Sequence, residues 1–130
     1  MKNGRRRVEV ERLIRQARAD LKVAEDNLGI DHFDVAAFYS HQSVEKGLKA
    51  LFIHLRRKAP PFTHDLVELG RALSAPAALA TDLADLTREY TTARYPDAAN
   101  AVPAEMYTKD IARRAIDAAR RLWKWIEPRF

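Results

Sequence analysis

The sequence predicts an all-α protein that folds as an antiparallel bundle of four to five helices. Apolar residues recur at steps of three and four along most of the chain, and no stretch shows the two-residue alternation of a strand. The connections between the helical segments are mostly short, so consecutive helices are expected to pack antiparallel. A chain of 130 residues suits one domain, which spans residues 1–130.

The first predicted helix carries a single apolar stripe. Its members are spaced by four and three residues: Val10, Ile14, Ala17, Leu21, Ala24 and Leu28. Gly29 is expected to end this helix in the left-handed conformation. Asp31 is then a candidate N-cap for the second helix.

The second helix is predicted over residues 33–57 and ends before Pro60 and Pro61. Its apolar face is wide, because Phe38, Phe52 and Ile53 extend a seam that contains Ala37, Val44, Leu48, Leu51 and Leu55. Gly47 lies inside this helix, where glycine costs about 1 kcal/mol relative to alanine. A close approach by another helix would account for it.

Three further helices complete the bundle. Thr63 is a candidate cap for a short helix through Leu66, Leu69 and Leu73. A fourth helix begins near Pro76 and carries Leu79, Leu83, Leu86 and Tyr90. The last helix is predicted over residues 105–127, with Ala112, Ala115, Ala119, Leu122 and Ile126 facing inward. The stretch "ARYPDAAN" at 93–100 separates these two helices.

Composition excludes several classes of function. The chain has no cysteine, so disulfides and thiolate nucleophiles are excluded. The four histidines are scattered and the four glycines are isolated, so we expect neither a metal site nor a cofactor. No apolar run reaches about 18 residues and no signal peptide is recognisable, which favours a cytoplasmic protein that does not enter a membrane. A net charge of +5 mildly favours an anionic partner.

A polar strip follows the apolar seam of the second helix. Gln42, Glu45, Lys46 and Lys49 share one side of it, because steps of three and four return to the same face. The strip is either a solvated face stabilised by a Glu45–Lys49 pair or part of a binding site. His64 and Asp65 follow the Pro-Pro turn, where both side chains can hydrogen-bond free amides at a helix start.

Basic residues concentrate at both ends of the chain. Arg113, Arg120 and Lys124 share one side of the last helix, and Arg5, Arg6 and Arg7 lie near the N-terminus. Together they can make a surface that contacts phosphates. The alternative is a solvated helix face.

Three motifs occur in a characteristic order: "QSVEKGLKAL" on the second helix, "HDLVEL" after the proline turn, and "ARYPDA" before the last helix. With the first helix as the opening one, the chain resembles the HEPN domain family. The resemblance implies a helical bundle that forms a homodimer, in a prokaryotic cytoplasm. It also implies a small nucleotidyltransferase as a protein partner, in a pairing like that of a toxin and its antitoxin.

Many HEPN domains are metal-independent ribonucleases, in which an arginine is followed four to six residues later by a histidine. Arg94 matches that arginine, but no histidine follows His64 in this chain. The resemblance therefore favours a non-catalytic module that binds a nucleotide, RNA or the nucleotidyltransferase. The expected ligand-binding residues are Gln42, Glu45, Lys49, His64, Arg94, Tyr95 and Asp97.

Two alternatives remain open. One is a divergent ribonuclease in which Arg94 stabilises the charged transition state and His64 or Tyr95 transfers the proton. The other is a homodimeric adaptor, in which the segment Arg94-Tyr95-Pro96 only fastens its loop to the bundle.

Overall fold

Seven α-helices account for most of residues 2–130, which are the residues that the computed structural model describes. They are α1 (Lys2–Gly29), α2 (Phe33–Arg56), α3 (Leu66–Ala72), α4 (Ala80–Thr92), α5 (Pro96–Ala99), α6 (Pro103–Met106) and α7 (Lys109–Ile126). This range contains no strand, so the predicted all-α class is confirmed. The number of helices exceeds four to five because α5 and α6, four residues each, are short extra helices. No helix in the range is long and apolar enough to cross a bilayer.

The two longest helices, α1 and α2, form an antiparallel hairpin. Val10 near the start of α1 packs with Ile53 near the end of α2, and Ala24 near the end of α1 packs with Ala36 near the start of α2. Ala24, Ala36 and Ala50 are among the buried residues of this contact.

The turn between α1 and α2 differs from its prediction. Gly29 is the last residue of α1 and has a negative φ; Asp31 is the residue in the left-handed conformation, with φ of 63°. Asp31 therefore does not cap α2, and His32 occupies the cap position without a side-chain hydrogen bond. The backbone closes the turn instead, because the His32 N–H donates to the Asn27 carbonyl over 2.9 Å. Asp and Asn tolerate the left-handed region better than most residues, so Asp31 can take the role expected of glycine.

The amphipathic helix α7 packs against this hairpin. Trp123 donates from Nε1 to Ser43 Oγ over 2.9 Å, and Ser43 donates in turn to the Ala17 carbonyl over 2.7 Å. This chain of hydrogen bonds joins α7, α2 and α1 inside the core. A Cβ placed on Gly47 would lie 2.7 Å from Cζ2 of Trp123, so the expected close approach at Gly47 is confirmed.

The loop of residues 57–65 leads from α2 to α3, which packs with α4 over the same core. Asp65, not Thr63, is the N-cap of α3: its carboxylate accepts from the Val67 and Glu68 amides. The Thr63 hydroxyl accepts a hydrogen bond from the Asp65 amide, which precedes the first residue of α3. Aspartate and threonine are both good capping residues, and the sequence alone did not distinguish the two positions.

Helices α4 and α7 both begin later than predicted. Pro76 introduces a 3-10 turn (Ala77–Leu79) before α4 starts at Ala80. Residues 103–106 form the separate helix α6, and Thr108 then caps α7 by accepting from the Ile111 amide. Tyr107, buried between them, donates a hydrogen bond to Glu89 of α4, and burial raises the pKa of both side chains.

Candidate functional site

Tyr90, in the last turns of α4, is the centre of a polar and aromatic cluster. Its ring stacks on the imidazole of His64, with 4.0 Å between the centroids and 15° between the planes. The guanidinium carbon of Arg94 lies 4.4 Å from the centroid of the same ring. We call Phe38, Glu45, His64, Tyr90 and Arg94 the Tyr90 cluster. It joins α2, α4 and the loop of residues 57–65.

Arg94 is exposed, yet its side chain is held in place. It follows Tyr90 by four residues, so both side chains lie on one side of the chain where α4 ends. Its Nε donates to the Tyr90 carbonyl over 2.9 Å, and its guanidinium also lies 4.5 Å from the Phe38 centroid and 4.9 Å from that of Tyr95. Within residues 4–130, no acceptor contacts its two terminal nitrogens.

His64 forms a hydrogen-bonded chain with two residues of α2. Its Nδ1 lies 2.7 Å from Glu45 Oε1, and Lys49 Nζ lies 3.2 Å from Glu45 Oε2. The carboxylate of Glu45 is buried while the imidazole is half exposed. Glu45 therefore orients the ring with Nδ1 inward, and Nε2 has no partner among the described residues. The Glu45–Lys49 pair is confirmed, although Glu45 is not on a solvated face.

His41 supports the cluster from the interior. It is fully buried, with Nε2 lying 2.8 Å from the His64 carbonyl oxygen and Nδ1 lying 3.0 Å from Gln42. Burial lowers the pKa of His41, so the ring is neutral at pH 7. In that form Nε2–H donates to the His64 carbonyl, and the Gln42 amide can donate to Nδ1 once its terminal group is flipped. The backbone at His64 is thus tied to α2.

The structure brings together the expected site residues Glu45, Lys49, His64, Arg94 and Tyr95. Gln42 is linked to them through His41. Asp97 differs, since it is exposed on α5 and makes no hydrogen bond or ion pair with the part of the chain that the structure describes.

The residues that the sequence did not single out for the site are Phe38, His41 and Tyr90. Phe38 and Tyr90 fitted the apolar stripes of their helices, which are more often core positions. The available signal was the four-residue spacing of Tyr90 and Arg94, which places a guanidinium beside a ring on a helix.

Three of the six basic residues of α7 form ion pairs within the described chain. Arg120 lies 3.0 Å from Glu25, Arg121 lies 2.9 Å from Asp82, and Arg114 lies 3.9 Å from Asp110. Arg113 and Lys124 have no such partner in the described chain. Of the side predicted to contact phosphates, Arg120 is therefore ion-paired, whereas Arg113 and Lys124 are unpaired within the described chain.

The Tyr90 cluster, with Tyr95 beside Arg94, offers three chemical capacities. The exposed guanidinium can bind an anion such as a phosphate through two parallel hydrogen bonds. The partly exposed Tyr95 ring can stack on a planar base. The imidazole, oriented by a carboxylate and free at Nε2, can accept or give a proton. No group of three His, Asp or Glu residues within the described range is arranged to hold a metal ion.

Comparisons with known proteins place the chain in a family. The HEPN domain model matches residues 10–129. TT1696 from Thermus thermophilus has a similar crystal structure, with a TM-score of 0.81 and 30% identity over 93% of this chain and 98% of that one. ST0689, an archaeal HEPN homologue, gives a TM-score of 0.77 and 30% identity over 92% and 95% of the two chains. No curated protein matches the chain. The chain therefore belongs to the HEPN domain family.

Proposed function

We propose that this HEPN domain binds a nucleotide or RNA at the Tyr90 cluster without cleaving it. The observation that carries the proposal is that the exposed Arg94 side chain is held in place while its terminal nitrogens are free within the described chain. Three aromatic rings and one backbone hydrogen bond fix its guanidinium, while its terminal nitrogens have no acceptor within residues 4–130.

A fixed guanidinium favours phosphate binding for an entropic reason. An exposed arginine usually loses side-chain freedom when it binds, and ordering such a side chain costs about 0.5–1.5 kcal/mol. Here the rings have already restricted it. Tyr95, which is half exposed beside Arg94, adds a surface on which a base can stack, so the ligand class that fits is an anion attached to a planar ring.

The test is binding of ATP, GTP and short single-stranded RNA to the wild type and to Arg94→Ala. We expect Arg94→Ala to weaken binding about tenfold or more, because a charge-assisted phosphate contact is lost. Arg94→Lys keeps the charge but loses the planar guanidinium and its stacking. Its affinity should therefore lie between those of the wild type and Arg94→Ala. Arg113→Ala is the matched control, since Arg113 is exposed on α7 and unpaired within the described chain.

The outcomes separate this proposal from the adaptor alternative. If Arg94 only fastens its loop, Arg94→Ala lowers the melting temperature and leaves every binding constant unchanged. If the wild type binds none of the three probes, the proposal is wrong.

The homodimer and the nucleotidyltransferase partner belong to the same proposal. Several large apolar side chains are exposed in the single chain: Val8, Ile30, Leu55, Phe62, Tyr95, Val102 and Phe130. Exposed apolar surface of this kind is often covered in an assembly.

A ribonuclease is the second candidate, favoured by the Glu45–His64 pair. A carboxylate on Nδ1 fixes the tautomer that leaves Nε2 able to accept a proton, and both His64 and Arg94 lie against the same Tyr90 ring. Under this alternative, wild type cleaves total RNA and His64→Gln is at least about a hundredfold slower, the usual effect of losing a general base. His32→Gln, at an exposed histidine outside the cluster, should cleave normally. Equal inactivity of wild type and His64→Gln removes the candidate, and equal activity removes His64 from it.

A further inference from the structure

A cleft rich in arginine lies between the first half of α1 and the end of α2, away from the Tyr90 cluster. We call it the α1 cleft. The basic side chains that line it come from α1, α2 and the loop that follows: Arg5, Arg6, Arg12, Lys46 and Arg57. Glu9 is the one carboxylate among the residues of the described chain that line it.

The charge of this cleft is largely uncompensated. Arg6 lies 3.4 Å from Glu9, and Lys46 is paired with the buried Asp20. Arg5, Arg12 and Arg57 have no carboxylate within 4.0 Å in the part of the chain described. Three unpaired arginines therefore line one cleft of the described chain.

We propose that the α1 cleft binds the phosphate backbone of single-stranded RNA whose base is held at the Tyr90 cluster. This inference rests on the proposed function and extends it, because the ligand becomes an RNA strand and not a mononucleotide. No aromatic residue lines the cleft in the described part of the chain. It therefore contacts phosphates without stacking on bases, and it does not discriminate sequence.

The two sites are close enough for one strand. Lys46 lines the cleft, and Lys49, one turn later on α2, contacts Glu45 of the Tyr90 cluster. The loop of residues 57–65 begins with Arg57 at the cleft and reaches His64 at the cluster. Seven residue steps of extended chain span at most about 25 Å, so a short oligonucleotide can reach both.

The lining favours a nucleic acid over an acidic protein. Protein interfaces bury a core of aromatic and aliphatic side chains. The α1 cleft offers only Val8 and Leu13 of that type among its described lining residues. Guanidinium forks on a polar surface match phosphate oxygens better.

The experiment compares oligonucleotides of about 4 and about 12 nucleotides with ATP across a salt series. The test variant is Arg5→Gln/Arg12→Gln/Arg57→Gln. The charge-matched control is Arg71→Gln/Arg113→Gln/Lys124→Gln, whose residues are also exposed and unpaired in the described chain. Loss of three phosphate contacts should reduce the salt slope for the longer RNA by about 2 and weaken binding about tenfold or more at low salt. ATP binding should stay unchanged in both variants.

The outcomes distinguish a failure of the α1 cleft from a failure of the Tyr90 cluster. Unchanged ATP binding with equal RNA affinity and slope in the test and control variants overturns the cleft and leaves the proposed function standing. RNA binding that responds to the cleft variant but not to Arg94→Ala supports the cleft and contradicts the Tyr90 cluster. If polyglutamate competes for the cleft as well as RNA does, the occupant is an acidic protein and the inference is wrong.

Discussion

Replacing Gly47 by alanine is expected to lower the free energy of unfolding by about 2 kcal/mol, although alanine is the better helix former. The added Cβ would lie 2.7 Å from Cζ2 and 2.9 Å from Cη2 of Trp123, distances at which something must move. The indole is rigid and buried, and its Nε1 is bonded to Ser43. Overpacking of this kind typically costs about 1–3 kcal/mol, which exceeds the gain in helix propensity. Urea unfolding followed by circular dichroism measures the change.

Gly29→Ala is the matched control for this prediction. Gly29 is also helical, but a Cβ there meets nothing within 4 Å. Its replacement should therefore stabilise the protein by up to about 1 kcal/mol. In a Trp123→Phe background, Gly47→Ala should cost little, because the ring atoms that it meets are gone. The same loss in both backgrounds would show that the close approach is not the cause.

Lys46→Met is expected to cost about 3 kcal/mol, since it leaves the Asp20 carboxylate buried without its cation. Lys46 Nζ lies 2.5 Å from Asp20 Oδ2, and the Asp20 side chain is 4% exposed. The remaining partner of Asp20 is the Gln16 amide, at 3.0 Å. Removing one member of a buried ion pair is strongly destabilising, because a buried charge is left uncompensated. The measurement is again the free energy of unfolding.

Two further variants isolate the cause. Lys22→Met removes a similarly short pair, Lys22–Asp26 at 2.6 Å, whose side chains are exposed, so no measurable loss is expected. Asp20→Asn/Lys46→Met leaves no buried charge at this position and should recover most of the stability. If the double variant is as unstable as Lys46→Met, lost packing of the lysine stem is responsible.

The all-helical class was predictable because periodicity reports which residues are buried. The stripe from Val10 to Leu28 and the seam of α2 both face the core in the structure, apart from the exposed Leu55. What the sequence did not settle were the helix ends. Asp31, and not Gly29, adopts the left-handed conformation, and Asp65, and not Thr63, caps α3. Both outcomes are decided by backbone angles and by which side chain reaches the free amides. These depend on the course of the loop and not on residue type alone.

The candidate site was predictable in part, for a similar reason. Helical spacing places Glu45 and Lys49 together, and the family motif pointed to Arg94. That His64 would meet Glu45, nineteen residues earlier, follows from the path of the loop and has no local signal. The role of Tyr90 in the site was not predicted, because an aromatic residue in an apolar stripe gives the same sequence pattern whether its ring is buried in the core or contributes one edge to a binding site.

The loop of residues 57–65 also makes the protein convenient for spectroscopy. Phe62 is fully exposed, two residues before His64, whose carbonyl is anchored by His41. The chain has no cysteine. Phe62→Cys would thus create a single attachment point for a fluorophore or spin label beside the Tyr90 cluster, without removing a contact that is buried in the single chain. The arrival of a ligand could then be followed directly in the otherwise native chain.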